Sequence, residues 1–274
     1  MTLKTLRTTA ATGIVLLLVA GMLLPVIYML LMSFRSGTDI VQNPLGLPKT
    51  WEWGNYLSAW QKMNYVRSVG NSLVVTLAVT FLVSVLGALA AYPLARRTNR
   101  LARGIILLMA LALATPAFVT ITPIYVMFGA LGLLDSYVGI ILAFTALNLP
   151  LAVFFYTSFI TTIPVELEEA ARLDGCSPFQ VFWHVVRPLL GPATATLSLF
   201  VMLTVWNDFT YPLLLLTDPD MMTVTVSVYR FVGNYNIRPE DLFPAAVLGS
   251  LPLVVLFVFF QRRILEGVTA GAMK

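Results

Sequence analysis

Long apolar runs alternate with short polar stretches along this chain. Six of them, at approximately 11–32, 72–95, 104–128, 138–160, 193–216 and 243–260, are long enough for helices crossing a hydrocarbon core of roughly 30 Å. The pattern predicts an all-α integral membrane protein with six transmembrane helices, residues 1–274 forming a single membrane domain. The stretch 161–190, between the fourth and fifth runs, has a different texture. Pro164 falls in a first helical turn, and Glu166, Glu168 and Glu169 follow where carboxylates complement the positive end of a helix dipole. Gly175 then serves as a helix stop, and Ser177-Pro178-Phe179-Gln180 carries a capping-box pattern that restarts the chain. Phe179, Phe182, Trp183 and Val186 recur at helical spacing and form one apolar face, with Pro188 closing the element. The expected object is a helix-turn-helix knob. It carries more acids than bases, unlike an amphipathic connector lying on a bilayer surface.

Composition sharpens this picture. With 58% hydrophobic residues, 11% charged residues and a mean hydropathy of +0.86, the chain is unlike any ordinary soluble domain. The net charge of +4 requires no nucleic-acid partner, because the basic residues cluster beside the apolar runs. A lone cysteine, Cys176, excludes an internal disulfide. The first run follows Lys4 and Arg7 as a secretory signal would, but its length and the absence of a small-residue cleavage pattern predict an uncleaved first span. Arg96, Arg97, Arg100 and Arg103 sit together without an acid between the second and third runs, which predicts a cytoplasmic connection. Alternation then places Lys4, Arg7, Arg172, Arg187, Arg262, Arg263 and Lys274 on the same side, eleven basic residues inside. Six lie outside: Arg35, Lys49, Lys62, Arg67, Arg230 and Arg238. Both termini and the knob are thus expected in the cytoplasm. Trp51, Trp53, Tyr56, Trp60 and Tyr65 of the first outer loop are expected at the headgroup level. Pro116, Pro123, Pro150, Pro212 and Pro252 lie inside or at the edge of runs, where each can kink a helix.

Few residues offer chemistry. Asp208, within Trp206-Asn207-Asp208-Phe209, is the one carboxylate well inside a run and should face the bundle interior or water. With Asn207 and Tyr211 it makes a candidate pathway for a hydroxyl-rich solute, or a structural partner for a neighbouring helix. Asn148, just before Pro150, is a further pathway candidate, or satisfies the backbone that the proline frees. His184, the sole histidine, has no metal-ligand company, and no metal site is expected. No glycine is followed by lysine, so no phosphate-binding loop of the Walker type is present and the energy source is another polypeptide.

Three segments carry a resemblance. Glu169-Ala170-Ala171-Arg172-Leu173-Asp174-Gly175, followed after nine residues by Val185-Val186-Arg187-Pro188, resembles the E-A-A-x3-G-x9-I-x-L-P signature of the membrane subunits of bacterial ABC importers. It departs from that signature at Arg187, where an apolar residue is usual. The Trp206-Asn207-Asp208-Phe209 segment and the Gly267–Lys274 tail resemble the carbohydrate-uptake branch, specifically the second permease of the maltose-transporter type. The resemblance implies a type I permease fold in the bacterial inner membrane, with a cytoplasmic coupling segment at 161–190. It implies ATPase-coupling roles for Glu169, Ala170, Ala171, Asp174, Gly175, Phe179, Phe182 and Pro188. Gly267, Gly271 and Lys274 would belong to a tail lying between the ATPase subunits, and the loop 217–242 would enter a solute-binding protein. The implied partners are a homologous permease in a heterodimer, two cytoplasmic ATPase subunits, an extracytoplasmic solute-binding protein and the lipid bilayer. ATP and magnesium would sit on the ATPase subunits, with no cofactor in this chain. The implied cargo is a di- or oligosaccharide. A glycerol-phosphate-type solute is an alternative within the family, and a proton-coupled carrier using Asp208 is one outside it.

Overall fold

The computed structural model describes the backbone of residues 3–232 and 238–272, and side chains from Thr12 onward apart from Ala117, Phe257 and those after Val258. Every regular element among the described residues is a helix. Four are long and apolar enough to cross a membrane, Thr12–Met32, Tyr65–Arg96, Tyr137–Ile160 and Pro239–Leu256, or six if each of two bent helix pairs is one span.

A count of six agrees with the expected six transmembrane helices, with one bent pair inside the third run and the other joining Pro178–Leu189 to the fifth. The third run divides into α5 (Arg100–Ala114) and α6 (Ala117–Ala130), counting α1 as Leu3–Met32, α2 as Gly37–Gln42, α3 as Gly54–Lys62 and α4 as Tyr65–Arg96. Pro116 has no N–H to continue a helix and disfavours helical geometry at Thr115, which is extended at ψ 122°. The Thr115 hydroxyl donates to Leu111 O, which takes up one carbonyl left at the end of α5. Pro123, Pro150 and Pro252, by contrast, lie within continuous helices, and Pro212 falls in the first turn of a short one. The fifth run breaks too. It consists of α11 (Gly191–Asn207) and α12 (Thr210–Leu215), after α7 (Tyr137–Ile160), α8 (Val165–Leu173), α9 (Pro178–Val181), a π-helical turn at Phe182–Val186 and α10 (Arg187–Leu189). Two further helices follow, α13 (Val224–Tyr229) and α14 (Pro239–Ala272).

The chain divides into two compact units. The first comprises Met1–Tyr65 and Ser227–Pro252. Its α1 exposes almost every apolar side chain from Ile14 to Leu24. The turn that follows is built around Arg35, a residue expected as a flanking surface charge but in fact only 1% exposed. Its guanidinium donates to Asp39 Oδ2 at 2.6 Å, to Gly46 O at 2.8 Å, and to Asp39 O and Asn43 O at 2.9 Å. A planar five-donor fork suits that ring of acceptors, and a lysine could not fill it. Phe34 gathers Trp51, Trp53 and Tyr56 around its ring, whereas Tyr65 of the same expected aromatic set is buried and donates to Leu248 O. Asp241 accepts from Ser58 and pairs with Lys62.

The second unit, Val66–Val226 with Leu253–Lys274, holds a core of Val75, Val79 and Val83 from α4, Ile140, Phe144 and Tyr156 from α7, and Leu197 and Val201 from α11. Gly87 lets α4 approach α7 closely, since a Cβ there would lie 2.6 Å from Ala152 Cβ. Polar bonds close one end of the unit. Asn71 donates to Asp220 O and Met222 O at 2.9 Å and accepts from the Tyr137 hydroxyl at 2.7 Å. Asp135 receives the Thr217 N–H and hydroxyl and the Asp218 N–H.

Asp39 gives the first unit a pH dependence. Its hydrogen bond from Arg35 holds the carboxyl below the ordinary value of 3.8, with burial opposing and the charges of Arg35 and Lys49 adding to the lowering. A depressed folded-state pKa gives stability that is complete above the unfolded value and lost as pH falls through the folded one. The 33–56 turn is therefore expected to hold above pH 3.8 and to loosen below it. Limited proteolysis between residues 36 and 50 across that range checks this, and Asp39→Asn should make cleavage pH-independent.

Candidate functional site

The segment after α7 is a set of short helices with one buried and one exposed face. Pro164 is extended and stands just ahead of α8 as its N-cap, one position before the first turn in which it was expected. Glu166 and Glu168 occupy that turn. Glu168, absent from the expected coupling set, has no solvent exposure. Its Oε2 accepts from the Tyr92 hydroxyl and its Oε1 from Arg96 Nε, both at 2.8 Å, and Arg172 stands 3.6 Å away. Arg96 also donates to Ile163 O at 2.9 Å. Glu169 and Ala170, the next residues, are exposed, and Ala171 is buried.

The end of α8 is a Schellman motif with Asp174 as C-cap. Gly175 N–H bonds Arg172 O and Cys176 N–H bonds Ala171 O, both at 3.0 Å, with Gly175 at φ +88°. Nothing lies within 4 Å of where its Cβ would be, so a substitution there meets backbone strain alone. Ser177 and Gln180 form the reciprocal capping box, and Pro178 opens α9.

The expected single apolar face is two faces. Phe182 and Val186 turn inward, Phe182 against Tyr92 with ring centroids 5.4 Å apart. Phe179 and Trp183 are 65% and 42% exposed and stack on each other at 6.1 Å, and Arg187 lies 4.3 Å over the Trp183 ring. Positions 179, 183 and 187 form one i, i+4 row, and 182 and 186 form the neighbouring row that reaches Tyr92. The departure at Arg187 thus has a local partner, a cation over an indole face. Pro188 does not close the helix. Arg187 N–H reaches back five residues to Phe182 O just ahead of this residue without a donor, and the chain stays helical to Leu189. A 74° bend then leads from Pro178–Leu189 into α11.

A cavity of about 500 Å³ opens between α4, the π-helical turn and α11. Its wall is largely apolar but carries the hydroxyls of Thr80, Ser84, Tyr156, Thr194 and Ser198. Tyr156 donates to Thr194 at 3.0 Å, Ser84 and Ser198 lie 3.3 Å apart, and buried Thr80 Oγ1 has no partner. Sequence reasoning passed over this set. Its legible signal is the four-residue spacing of Thr80 with Ser84 and of Thr194 with Ser198, which stacks each pair on one helix face.

The expected pathway residues are only partly brought together. Asp208 is not inside a helix: it is extended at φ −67° and ψ 130°, and its Oδ1 accepts the Tyr211 N–H at 3.0 Å, capping α12. Its own carbonyl accepts from the Thr225 hydroxyl at 2.9 Å. Tyr211 is buried, with its hydroxyl 2.7 Å from Thr120 Oγ1 and its ring edge-on to Phe144. Asn148 is also buried, and donates to Phe144 O at 2.8 Å. That carbonyl lies four residues back on its own helix, and is not the Ala146 carbonyl that Pro150 leaves without an N–H. Asn207 is exposed and donates to Leu203 O. Gly267 and Gly271 fall on α14, and Lys274 lies outside the described residues.

Comparison with known proteins places these features among relatives. Residues 55–269 match a family described as binding-protein-dependent transport system inner membrane component. The diacetylchitobiose uptake system permease protein of Streptomyces coelicolor is 34% identical over 254 residues, 92% of this chain and 84% of that protein. The melibiose/raffinose/stachyose import permease protein of Bacillus subtilis is 35% identical over 221 residues, 80% of each. The fold is similar to a chain in the crystal structure of a bacterial ABC transporter involved in the import of the acidic polysaccharide alginate. The TM-score is 0.79 and the identity 23%, over 96% of this chain and 98% of that one.

Two outcomes test the local geometry. Gly175→Ala should cost about 1 kcal/mol through the left-handed φ, whereas Gly104→Ala, on a helix with open space around it, should cost nothing. Thermal unfolding of the purified proteins in detergent measures both. Asp208→Ala should lose about 1 kcal/mol with the α12 cap, and Asp208→Asn, which keeps an acceptor, only a few tenths.

Proposed function

The chain belongs to the family of binding-protein-dependent transport system inner membrane components, and on that footing we propose that it carries a di- or oligosaccharide across the cytoplasmic membrane as one of two homologous permease subunits. It is a carbohydrate-uptake permease of an ATP-driven ABC importer, working with ATPase and solute-binding protein partners and having no ATPase site of its own. In the proposed assembly two ATPase subunits bind ATP and magnesium on the cytoplasmic side. The arginine-rich connection at 96–103, the 161–190 segment and both termini face them. A solute-binding protein delivers the sugar from outside.

The observation that carries the docking role is the division between adjacent glutamates. Glu168 is buried and bonded inside the protein, which leaves Glu169 and Ala170 on the outer surface of a helix that cannot rotate without breaking those bonds. A carboxylate on such a protrusion meets a basic side chain of the ATPase, and the alanine permits close approach. Phe179, stacked on Trp183, adds an apolar contact beside it. The pathway proposed for the sugar includes Asn207 and Asp208 at the break between α11 and α12, Tyr211 of α12 and Asn148 of α7. The substrate class is drawn from the relatives, whose named cargoes are di- to tetrasaccharides.

Glu169→Lys should lower both co-purified ATPase and vesicle uptake about tenfold or more, the scale of loss when an interfacial charge partner is reversed. Uptake of raffinose and diacetylchitobiose into vesicles, with the ATPase subunits quantified in the same preparation, measures it. Unchanged co-purification and unchanged uptake would remove the docking role.

A further inference from the structure

The knob is joined to the protein in two ways. Covalently it continues α7 on one side and α11 on the other. Non-covalently, the side-chain bonds described for α8 run to α4. Glu168 is held by Tyr92 and Arg96, and the same Arg96 binds Ile163 O in the turn before α8. Phe182 of the π-helical turn packs on Tyr92 beside them. Tyr92 and Arg96 are the last two turns of α4, where a cation also complements the helix's carbonyl end. The carboxylate is fully buried, so the joint can slip only by exposing an unpaired charge to a low-dielectric interior.

We propose that Glu168 is a positioning residue for coupled transport: its buried carboxylate, gripped by Tyr92 and Arg96, fixes the knob to the end of α4, so that a displacement of the knob by the ATPase moves α4 with it. This rests on the reading that the knob docks on the ATPase. The geometry makes the motion consequential, because the hydroxyl-bearing cavity has α4 as one wall and α11 as the other, with Phe182 and Trp183 of the knob's π-helical turn between them. Carrying α4 along while the 74° bend at Leu190 absorbs part of the displacement before α11 would change the separation of those walls.

The test follows distances in the assembled transporter, reconstituted in vesicles with Cys176→Ser as the background and spin labels on introduced cysteines. Exposed Leu173 at the end of α8, Phe81 on α4 and Phe200 on α11 are the label positions. The probe is ATP with vanadate, which traps the ATPase subunits. In the parent, the Leu173–Phe81 separation should stay fixed on trapping while Phe81–Phe200 shifts. In Glu168→Gln, which removes the charge at nearly constant shape, Leu173–Phe81 should shift and the Phe81–Phe200 response should be lost. ATPase subunits should co-purify with both proteins, because Glu168 does not face outward. Arg96→Lys, with a cation but no fork to span Glu168 and Ile163 O, should behave as Glu168→Gln does. A Leu173–Phe81 separation that changes in the parent, or that stays fixed in Glu168→Gln, overturns the clamp. Failure of both variants to assemble assigns the cluster to folding alone and overturns it as well. Absence of ATPase subunits from the purified parent instead overturns the docking reading, and is distinguished by being seen before any variant is made.

Discussion

A carboxylate can be taken out of water only where something replaces the water, and at Glu168 the replacement is a phenol, a guanidinium and a second arginine within 4 Å. Removing one partner of such a group leaves a buried charge uncompensated, at a cost of about 3–5 kcal/mol. That penalty orients α8 about its own axis. Once Glu168 is inward, the 100° step of the helix puts Glu169 outward, and Ala171 falls back against the protein. The Schellman turn at Gly175 and the capping box at Ser177 then fix the return of the chain, so the exposed surface of the knob follows from one internal bond set.

The same rule governs the breaks inside the third and fifth runs. A backbone that leaves helical geometry frees carbonyls and N–H groups that hydrocarbon cannot satisfy, so each break has side chains serving it. At Thr115-Pro116 the threonine hydroxyl returns to Leu111 O. At Asp208 the carboxylate takes the Tyr211 N–H and Thr225 donates to the carbonyl of Asp208 itself. A polar residue in an apolar run thus has a structural reason to exist there.

Elements dominated by local chemistry were legible from the residues. The run at 138–160 became α7 at Tyr137–Ile160 with Ser136 as its cap, and the glycine stop and capping box of the knob formed as read. Hydropathy understates α4, which begins at Tyr65 and not near 72, because Ser68, Asn71 and Ser72 are polar yet buried; Asn71 and Ser72 serve backbone groups at Asp220, Met222 and Val224. Apolar content alone could not locate the break in the fifth run, since it counts residues and not dihedral angles. Nor could it say which of two adjacent glutamates is buried. That depends on Tyr92 and Arg96, more than seventy residues earlier in the chain.

The stacked row of Phe179, Trp183 and Arg187 has an optical consequence. Of the five tryptophans, Trp51, Trp53 and Trp60 precede α4 and Trp206 is buried in α11, so Trp183 alone belongs to the knob and is open to water. Its indole sits against a cation and a second ring, surroundings that any surface closing over the knob must alter. In a protein with Trp51, Trp53 and Trp60 replaced by phenylalanine, the ultraviolet emission would come from buried Trp206 and exposed Trp183, of which Trp183 is the one a partner on the knob can cover. The chain carries a native fluorophore on the element of most interest, with no dye to attach.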